Sequence, residues 1–129
     1  MPKTGRMLAL AIALSACGGD GKPSFESRFA TVESCSGLSA PFPMLRFEPA
    51  VECPTSHKRC CLESIPFFDC AQGRCGANGK YEQDTGTIVL PVGCSIGFEH
   101  ESVHHLLFSS TGDPDANHTS PLFKACGNS

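Results

Sequence analysis

The chain has 129 residues, which is enough for one small domain and excludes a multidomain enzyme. Its 10 basic and 13 acidic residues give a net charge of −3, which excludes the strongly basic character that nucleic-acid binding requires. Nine cysteines, 13 glycines and 10 prolines indicate a loop-rich chain that depends on cross-links as well as on a hydrophobic core.

The first residues have the composition of an export signal. Lys3 and Arg6 supply positive charge, and the apolar run Met7–Leu14 is too short to cross a bilayer, which takes about 20 apolar residues. The sequence LSAC, which ends at Cys17, resembles the lipobox of bacterial lipoproteins. That resemblance implies a signal peptide over residues 1–16, and it implies that the cysteine is lipidated and begins the mature chain.

The residues after the lipobox predict a tether and a location. Lipoproteins kept at the inner membrane of Gram-negative cells often have Asp after the lipidated cysteine. Here Gly18 follows Cys17, so the resemblance implies the outer membrane. Residues 18–27 are polar and rich in Gly and Ser, which is typical of a flexible linker. We therefore place a tether at residues 17–28 and the domain at residues 29–129. The alternative is an ordinary secretory signal with Cys17 as a structural thiol, which also exports the protein.

Eight cysteines remain once Cys17 is lipidated, and an even number in a short exported chain indicates a disulfide framework. They are Cys35, Cys53, Cys60, Cys61, Cys70, Cys75, Cys94 and Cys126. Eight cysteines can pair in about 105 ways. Among these we expect a Cys70–Cys75 disulfide that closes one turn and a Cys94–Cys126 disulfide that brackets a helix. The alternative is a structural zinc, which lacks the usual C-x-x-C spacing. Its ligands would be Cys60, Cys61, Cys70 and Cys75.

The hydrophobic pattern predicts an α+β fold. Residues 29–48 alternate apolar stretches with Pro, Ser and Gly, which predicts short strands joined by turns, and residues 49–79 predict irregular, disulfide-held structure. The β-branched run Gly86–Pro91 predicts a strand that lies at an edge or ends at Pro91, because proline has no amide hydrogen for a ladder. We therefore expect a small disulfide-rich domain of short antiparallel strands followed by one main helix.

A helix is predicted over residues 96–110. Ser95 is a suitable N-cap, and Gly112 is well placed to end the helix in the left-handed conformation. Apolar residues at helical spacing predict a buried face formed by Val103, Leu106 and Leu107. After the helix, Leu122 and Phe123 are expected to return the tail to the core.

The motif His100-Glu101-Ser102-Val103-His104 on this helix predicts a zinc site. Histidines at i and i+4 lie one above the other, about 5–6 Å apart, and both can reach one ion. Glu101 points about 100° away from them and is suited to act as a general base on the metal-bound water. This combination is typical of metallopeptidases.

The sequence HESVHHLL followed by TGDPDANHTSPLF is similar to small bacterial lipoproteins of the zincin-like metallopeptidase class, over Thr87–Cys126. The resemblance implies hydrolysis of peptide bonds and one Zn²⁺. It also implies a strand before the helix, here residues 86–90, that pairs with the substrate backbone.

The third zinc ligand is open at this stage. Thermolysin-like enzymes use a later glutamate, and no glutamate follows Glu101. The chain also lacks the glycine and histidine that metzincins place after the motif, and it does not match the aspartate motif of aspzincins. A tight turn would return His118 to the helix, so we expect His118 as the third ligand and Asp115 as the alternative. If neither aspartate binds the metal, Asp113 or Asp115 is expected to orient a ligating imidazole by accepting a hydrogen bond from its other ring nitrogen.

The sequence therefore predicts a membrane-anchored zinc peptidase that acts on peptides or proteins. Two alternatives stay open: a non-catalytic zinc-binding lipoprotein, and a disulfide-stabilised interaction module of the cell envelope. Tyr81 is expected to have a packing or hydrogen-bonding role, and His105 to be a surface residue or a neighbour of the site.

Overall fold

The computed structural model describes residues 23–54, 56–65 and 77–127. In chain order the elements are helix α1 (Phe25–Ser36), strands β1 (Met44–Glu48), β2 (Ala50–Val51), β3 (Cys61–Leu62), β4 (Lys80–Glu82) and β5 (Thr87–Pro91), and helices α2 (Phe98–Thr111) and α3 (Leu122–Cys126). The expected signal peptide, lipidation site and Cys70–Cys75 bridge lie outside the described residues. No helix in the described part of the chain is long and apolar enough to cross a membrane.

Helix α1 occupies a region for which the sequence predicted only strands, and that prediction was wrong for residues 29–36. Ser24 caps the helix, because its hydroxyl accepts a hydrogen bond from the Ser27 amide at 3.0 Å. Phe29 and Val32 face the core from its buried side. Because the helix begins at Phe25, the last four residues of the segment predicted as a tether belong to the folded domain.

The main sheet has three strands in the order β1-β5-β4. Strand β5 pairs in parallel with β1 and antiparallel with β4, so the expectation of antiparallel pairing holds for β4 but not for β1. The strand ends at Pro91 as predicted, but it is central and buried rather than at an edge. Residues 86–90 therefore have no free edge for a substrate, which corrects the expectation taken from the resemblance. The outer strands are β1 and β4.

Within the described residues, three disulfides cross-link the domain. They join Cys35 to Cys126, Cys53 to Cys61 and Cys60 to Cys94. The expected Cys94–Cys126 bridge is therefore wrong. The structural zinc alternative also fails, because two of its proposed ligands, Cys60 and Cys61, are each bonded to another cysteine. The bridges join α1 to α3, and they join the β5–α2 loop to the segment before β3.

Helix α2 crosses the buried face of the sheet. Val103 and Leu106 are fully buried in the core, as their spacing predicted, and so is Phe98. Leu107, the third residue of the predicted face, is only partly buried. The helix ends at Gly112, whose φ of 82° confirms the predicted left-handed cap.

The start of α2 differs from the prediction. Gly97 is the N-cap, and Ser95 has another role. The Ser95 hydroxyl and carbonyl each lie 2.8 Å from the Arg28 guanidinium. Arg28 also forms an ion pair with Glu99 at 2.6 Å, so α1 is bonded to the first turn of α2.

The architecture is a small, disulfide-rich α+β domain, as the sequence predicted. One buried cluster contains residues from α1, β5, α2 and α3. It supports the helix that carries His100, Glu101 and His104.

Candidate metal centre

Three histidine side chains converge at the open side of α2. The Nε2 atom of His118 lies 3.0 Å from Nε2 of His100 and 3.1 Å from Nε2 of His104. Their potential ligand atoms all lie within 4.8 Å of one another. Three nitrogens that bind one ion at about 2.0–2.1 Å in tetrahedral geometry are about 3.3 Å apart, which is close to the two distances measured from His118. The three histidines can therefore hold a metal ion.

A short turn after α2 brings the third histidine back to the helix. Asp115 and His118 both adopt left-handed backbone conformations, with φ of 61° and 58°. Such conformations are costly for residues other than glycine and persist only where neighbouring interactions hold them. Here the Asp115 carboxylate accepts hydrogen bonds from the Thr119 amide, the Thr119 hydroxyl and the Ser120 amide, at 3.1, 2.9 and 2.7 Å.

These bonds define the role of Asp115. Its carboxylate is directed into the turn, and it is not a member of the histidine cluster. Hydrogen bonds from the Thr119 backbone lower the pKa of Asp115, so the side chain accepts these bonds in its ionised form. Asp115 shapes the turn that presents His118.

The residue that orients His104 is Pro114. Nδ1 of His104 lies 2.6 Å from the Pro114 carbonyl oxygen. A carbonyl can only accept a hydrogen bond, so Nδ1 carries the proton and the Nε2 lone pair is available for a metal. The expectation that Asp113 or Asp115 would orient an imidazole was therefore wrong for His104, where a backbone carbonyl performs this role.

Phe123 forms the floor of the cluster. Its ring centroid lies 5.0 Å from that of His100, 4.6 Å from that of His104 and 4.8 Å from that of His118. The prediction that Phe123 anchors the tail is confirmed, since its side chain is buried against the core. Its contact with all three imidazoles could not be read from the sequence.

The electrostatic environment favours uncharged ligands. Burial lowers the pKa of His100 to about 4, with further lowering by the adjacent His104 and His118. The pKa of His104 is also lowered, mainly by burial. Neutral imidazoles are the form that binds metal ions, so the lowered pKa values of His100 and His104 favour metal binding at neutral pH.

Glu101 follows His100 on α2, and its side chain is almost fully enclosed. Only 6% of its surface is exposed, and burial raises the pKa of its carboxyl to about 8. A Cβ atom on Gly79 would lie 3.1 Å from Cγ of Glu101, so glycine allows the chain before β4 to approach this side chain closely. Among the residues that the structure describes, none donates a hydrogen bond to the Glu101 carboxylate.

His105 and Tyr81 form a separate pair behind the site. His105 Nε2 lies 2.8 Å from the Pro41 carbonyl oxygen, so this nitrogen is protonated and Nδ1 accepts the Tyr81 hydroxyl at 2.8 Å. His105 is buried rather than on the surface, and its nitrogens are both engaged. The hydrogen-bonding role predicted for Tyr81 is confirmed, and its ring stacks on His104 with centroids 6.5 Å apart.

Comparison with known proteins adds no assignment to this geometry. No family model matches the chain, and no curated protein and no solved structure matches it either. The function is therefore argued from the site itself.

Proposed function

We propose that this protein is an exported, lipid-anchored zinc metallopeptidase in which His100, His104 and His118 hold the metal and Glu101 is the general base. The observation that carries the proposal is the convergence of three imidazole Nε2 atoms next to a buried carboxylate. Zinc sites with three protein ligands and one open position are typically catalytic, whereas structural sites have four protein ligands. Imidazole ligands also suit zinc better than they suit calcium or magnesium.

A bound zinc ion would polarise a carbonyl group and lower the pKa of a coordinated water to about 7. Glu101 would accept a proton from the attacking water and donate it to the leaving amine. A cation held by the histidines would favour the ionised, basic form of this carboxyl, opposing the effect of burial on its pKa.

Glu101 is the residue that favours a peptidase over a metal store. A protein that only captures zinc needs the three histidines, and it gains nothing from a carboxylate between them. Burying a carboxylate to which no described residue donates is costly, so the burial of Glu101 within this motif favours a chemical role. Glu101 combines this position and this environment, since it follows His100 directly and is buried.

Strand β4 offers the edge that a peptide substrate needs. It pairs with β5 on one side, and within the described residues it has no strand partner on the other. Its Tyr81 ring stacks on His104, and a Cβ atom on Gly79, just before the strand, would lie 3.1 Å from the Glu101 side chain. An extended peptide added to this edge would therefore lie beside the metal ligands and the base. In this proposal β4 replaces residues 86–90 as the substrate-pairing strand.

The test compares wild-type protein with Glu101→Gln, both produced as the full exported chain with oxidised cysteines. Gln has nearly the same shape as Glu but cannot accept the proton of water. We expect about one zinc per chain in both proteins, with hydrolysis of an unstructured protein such as casein only in the wild type. Glu63→Gln is the matched control, because Glu63 is exposed and distant from the motif in sequence. It should retain both zinc and activity.

The possible outcomes separate the alternatives. Zinc binding in both proteins with no hydrolysis by either would identify a metal-binding protein rather than a peptidase. Absence of zinc from the wild type would exclude the metal centre and leave a disulfide-stabilised interaction module. Activity that survives in Glu101→Gln would remove Glu101 from the mechanism but keep the site.

A further inference from the structure

Three exposed apolar side chains lie around one end of the main sheet. Phe47 is 47% exposed, Val92 is 58% exposed and Ile96 is 57% exposed. Isolated apolar residues on a surface need no explanation, but a cluster of them marks a surface that is covered in the working protein. We call these three residues the apolar rim.

Two hydrogen bonds hold the members of the rim at the same end of the fold. The Val92 amide donates to the carbonyl of Glu48, the residue after Phe47, at 2.9 Å. Arg28 donates to the carbonyl of Ser95, the residue before Ile96, at 2.8 Å. Strand β1, the β5–α2 loop and the first turn of α1 therefore meet at the rim.

The rim lies where the tether enters the domain. Phe25 is the first residue of α1, and its ring centroid is 6.1 Å from that of Phe47. Whatever its conformation, the chain from the predicted lipid anchor at Cys17 to the cap residue Ser24 can span at most about 25 Å. The membrane would therefore be within reach of the rim at all times, and a short link of this kind gives a high effective concentration.

Two basic residues lie on a segment that is covalently joined to the loop between Val92 and Ile96. The Cys60–Cys94 disulfide joins the β5–α2 loop to the segment that carries Lys58 and Arg59, and both of these side chains are exposed. Apolar side chains bordered by Lys and Arg are the combination that binds an anionic lipid surface. The nearby Glu48 carboxylate is paired with Arg46 at 3.0 Å, which reduces its repulsion of lipid phosphates.

We propose that the apolar rim docks on the bilayer that holds the lipid anchor and so sets the orientation of the domain on the membrane. The inference rests on the proposed lipidation of Cys17 and names the lipid surface as a second partner. In this arrangement the anchor retains the protein, and Phe47, Val92 and Ile96 fix which side faces the lipid.

Docking has a consequence for the substrate. Ile96 precedes the metal ligand His100 by only four residues, so their Cα atoms are at most about 14 Å apart. A rim in contact with lipid would hold the metal centre close to the bilayer surface. The substrates of the proposed peptidase would then be polypeptide segments at the membrane surface, rather than proteins free in the surrounding compartment.

The chain has no tryptophan, so a single introduced tryptophan reports on its own surroundings. The experiment uses the full lipidated protein in vesicles of phosphatidylcholine and phosphatidylglycerol, with and without brominated acyl chains, which quench tryptophan on contact. Ile96→Trp places the probe in the rim. Met44→Trp is the matched control, because Met44 is 64% exposed but lies on the other face of β1, beside Arg46.

We expect brominated lipid to quench the Ile96→Trp indole at least twofold more than the Met44→Trp indole. Equal quenching of the two variants, in protein that floats with the vesicles, would overturn docking and leave the anchor intact. Shielding of the Ile96→Trp indole from iodide without quenching by lipid would show that a protein covers the rim, which also overturns the proposal. Failure of the protein to float would overturn the anchor and the docking together, but not the metal centre, which zinc analysis tests separately.

Discussion

His104 donates a 2.6 Å hydrogen bond from Nδ1 to the carbonyl of Pro114, while its Nε2 faces the Nε2 of His118 at 3.1 Å. The turn after α2 thus supplies one candidate ligand and also orients another. Any change that alters the turn should act on both histidines at once. This relationship makes the turn, as well as the helix, a determinant of metal affinity.

The first prediction concerns Asp115, which holds the turn through three hydrogen bonds. Asp115→Asn tolerates the same left-handed backbone but replaces one acceptor oxygen with a donor that faces the Ser120 amide. We expect zinc affinity to fall by about 10-fold, with one zinc still bound at saturation. Competition with a chromogenic chelator measures this. Asp84→Asn is the control, because it removes one negative charge at an exposed position, and it should leave zinc affinity unchanged. Loss of the bound zinc even at saturation would instead make Asp115 a ligand.

Much of the candidate metal site could be predicted from sequence because its main part is local. The spacing of His100 and His104 determines their common face once a helix forms, and the pattern around Val103 and Leu106 predicted that helix. His118 could be predicted as the third candidate ligand because Gly112 and Pro114 indicate a turn that returns the chain to the helix. The role of Pro114 as hydrogen-bond acceptor was missed because a backbone carbonyl leaves no signal in the side-chain pattern.

The rest of the fold depends on long-range pairing, which local patterns do not determine. Helix α1 was missed because prolines and serines beyond Ser36 obscured the buried positions Phe29 and Val32, whose helical spacing was the available signal. Strand β5 was placed at an edge because of Pro91. Its parallel neighbour β1 comes from a segment about 40 residues earlier, and no local rule brings the two together.

The second prediction ranks two disulfides. The Cys35–Cys126 bridge closes a separation of 91 residues, whereas Cys53–Cys61 closes one of 8. In the chain-entropy account, loss of the longer bridge costs about 4–5 kcal/mol and loss of the shorter one about 2–3 kcal/mol. The free energies of unfolding of the two double Cys→Ala variants are compared by urea unfolding, without oxidant or reductant so that the remaining disulfides stay intact. A larger loss of stability in the Cys53/Cys61 variant would contradict the ranking.

The third prediction concerns Arg28, whose guanidinium binds both carboxylate oxygens of Glu99 at 2.6 and 2.8 Å and also binds Ser95. Lys keeps the charge but cannot make this forked contact. We expect Arg28→Lys to lower the free energy of unfolding by about 2 kcal/mol, because the forked contact with Glu99 is lost, and Arg28→Ala by about 3 kcal/mol, because the positive charge beside this buried carboxylate is lost as well. Arg46→Lys is the control at an exposed ion pair and should leave the melting temperature nearly unchanged. Equal effects at the two positions would show that burial of the Arg28 pair does not matter.

The last prediction separates fold stability from metal binding at Phe123. Leu at this position stays apolar but is too small to contact all three imidazoles, whose ring centroids lie 4.6–5.0 Å from that of the phenyl ring. The histidine side chains would then gain rotational freedom, and ordering them on binding would cost free energy. We therefore expect Phe123→Leu to lower zinc affinity by about 10-fold and the free energy of unfolding by about 1–2 kcal/mol.

Phe29→Leu is the matched control for this change, because Phe29 is also buried in the core but contacts none of the three ligands. It should lose a similar free energy of unfolding and keep its zinc affinity, measured well below the melting temperature of both variants. If the two variants lose zinc affinity equally, general loosening of the core explains the effect, and Phe123 has no specific role. If only Phe123→Leu loses affinity, the phenyl ring holds the three imidazoles in the geometry that binds the ion, and α3 belongs to the metal centre although it contributes no ligand.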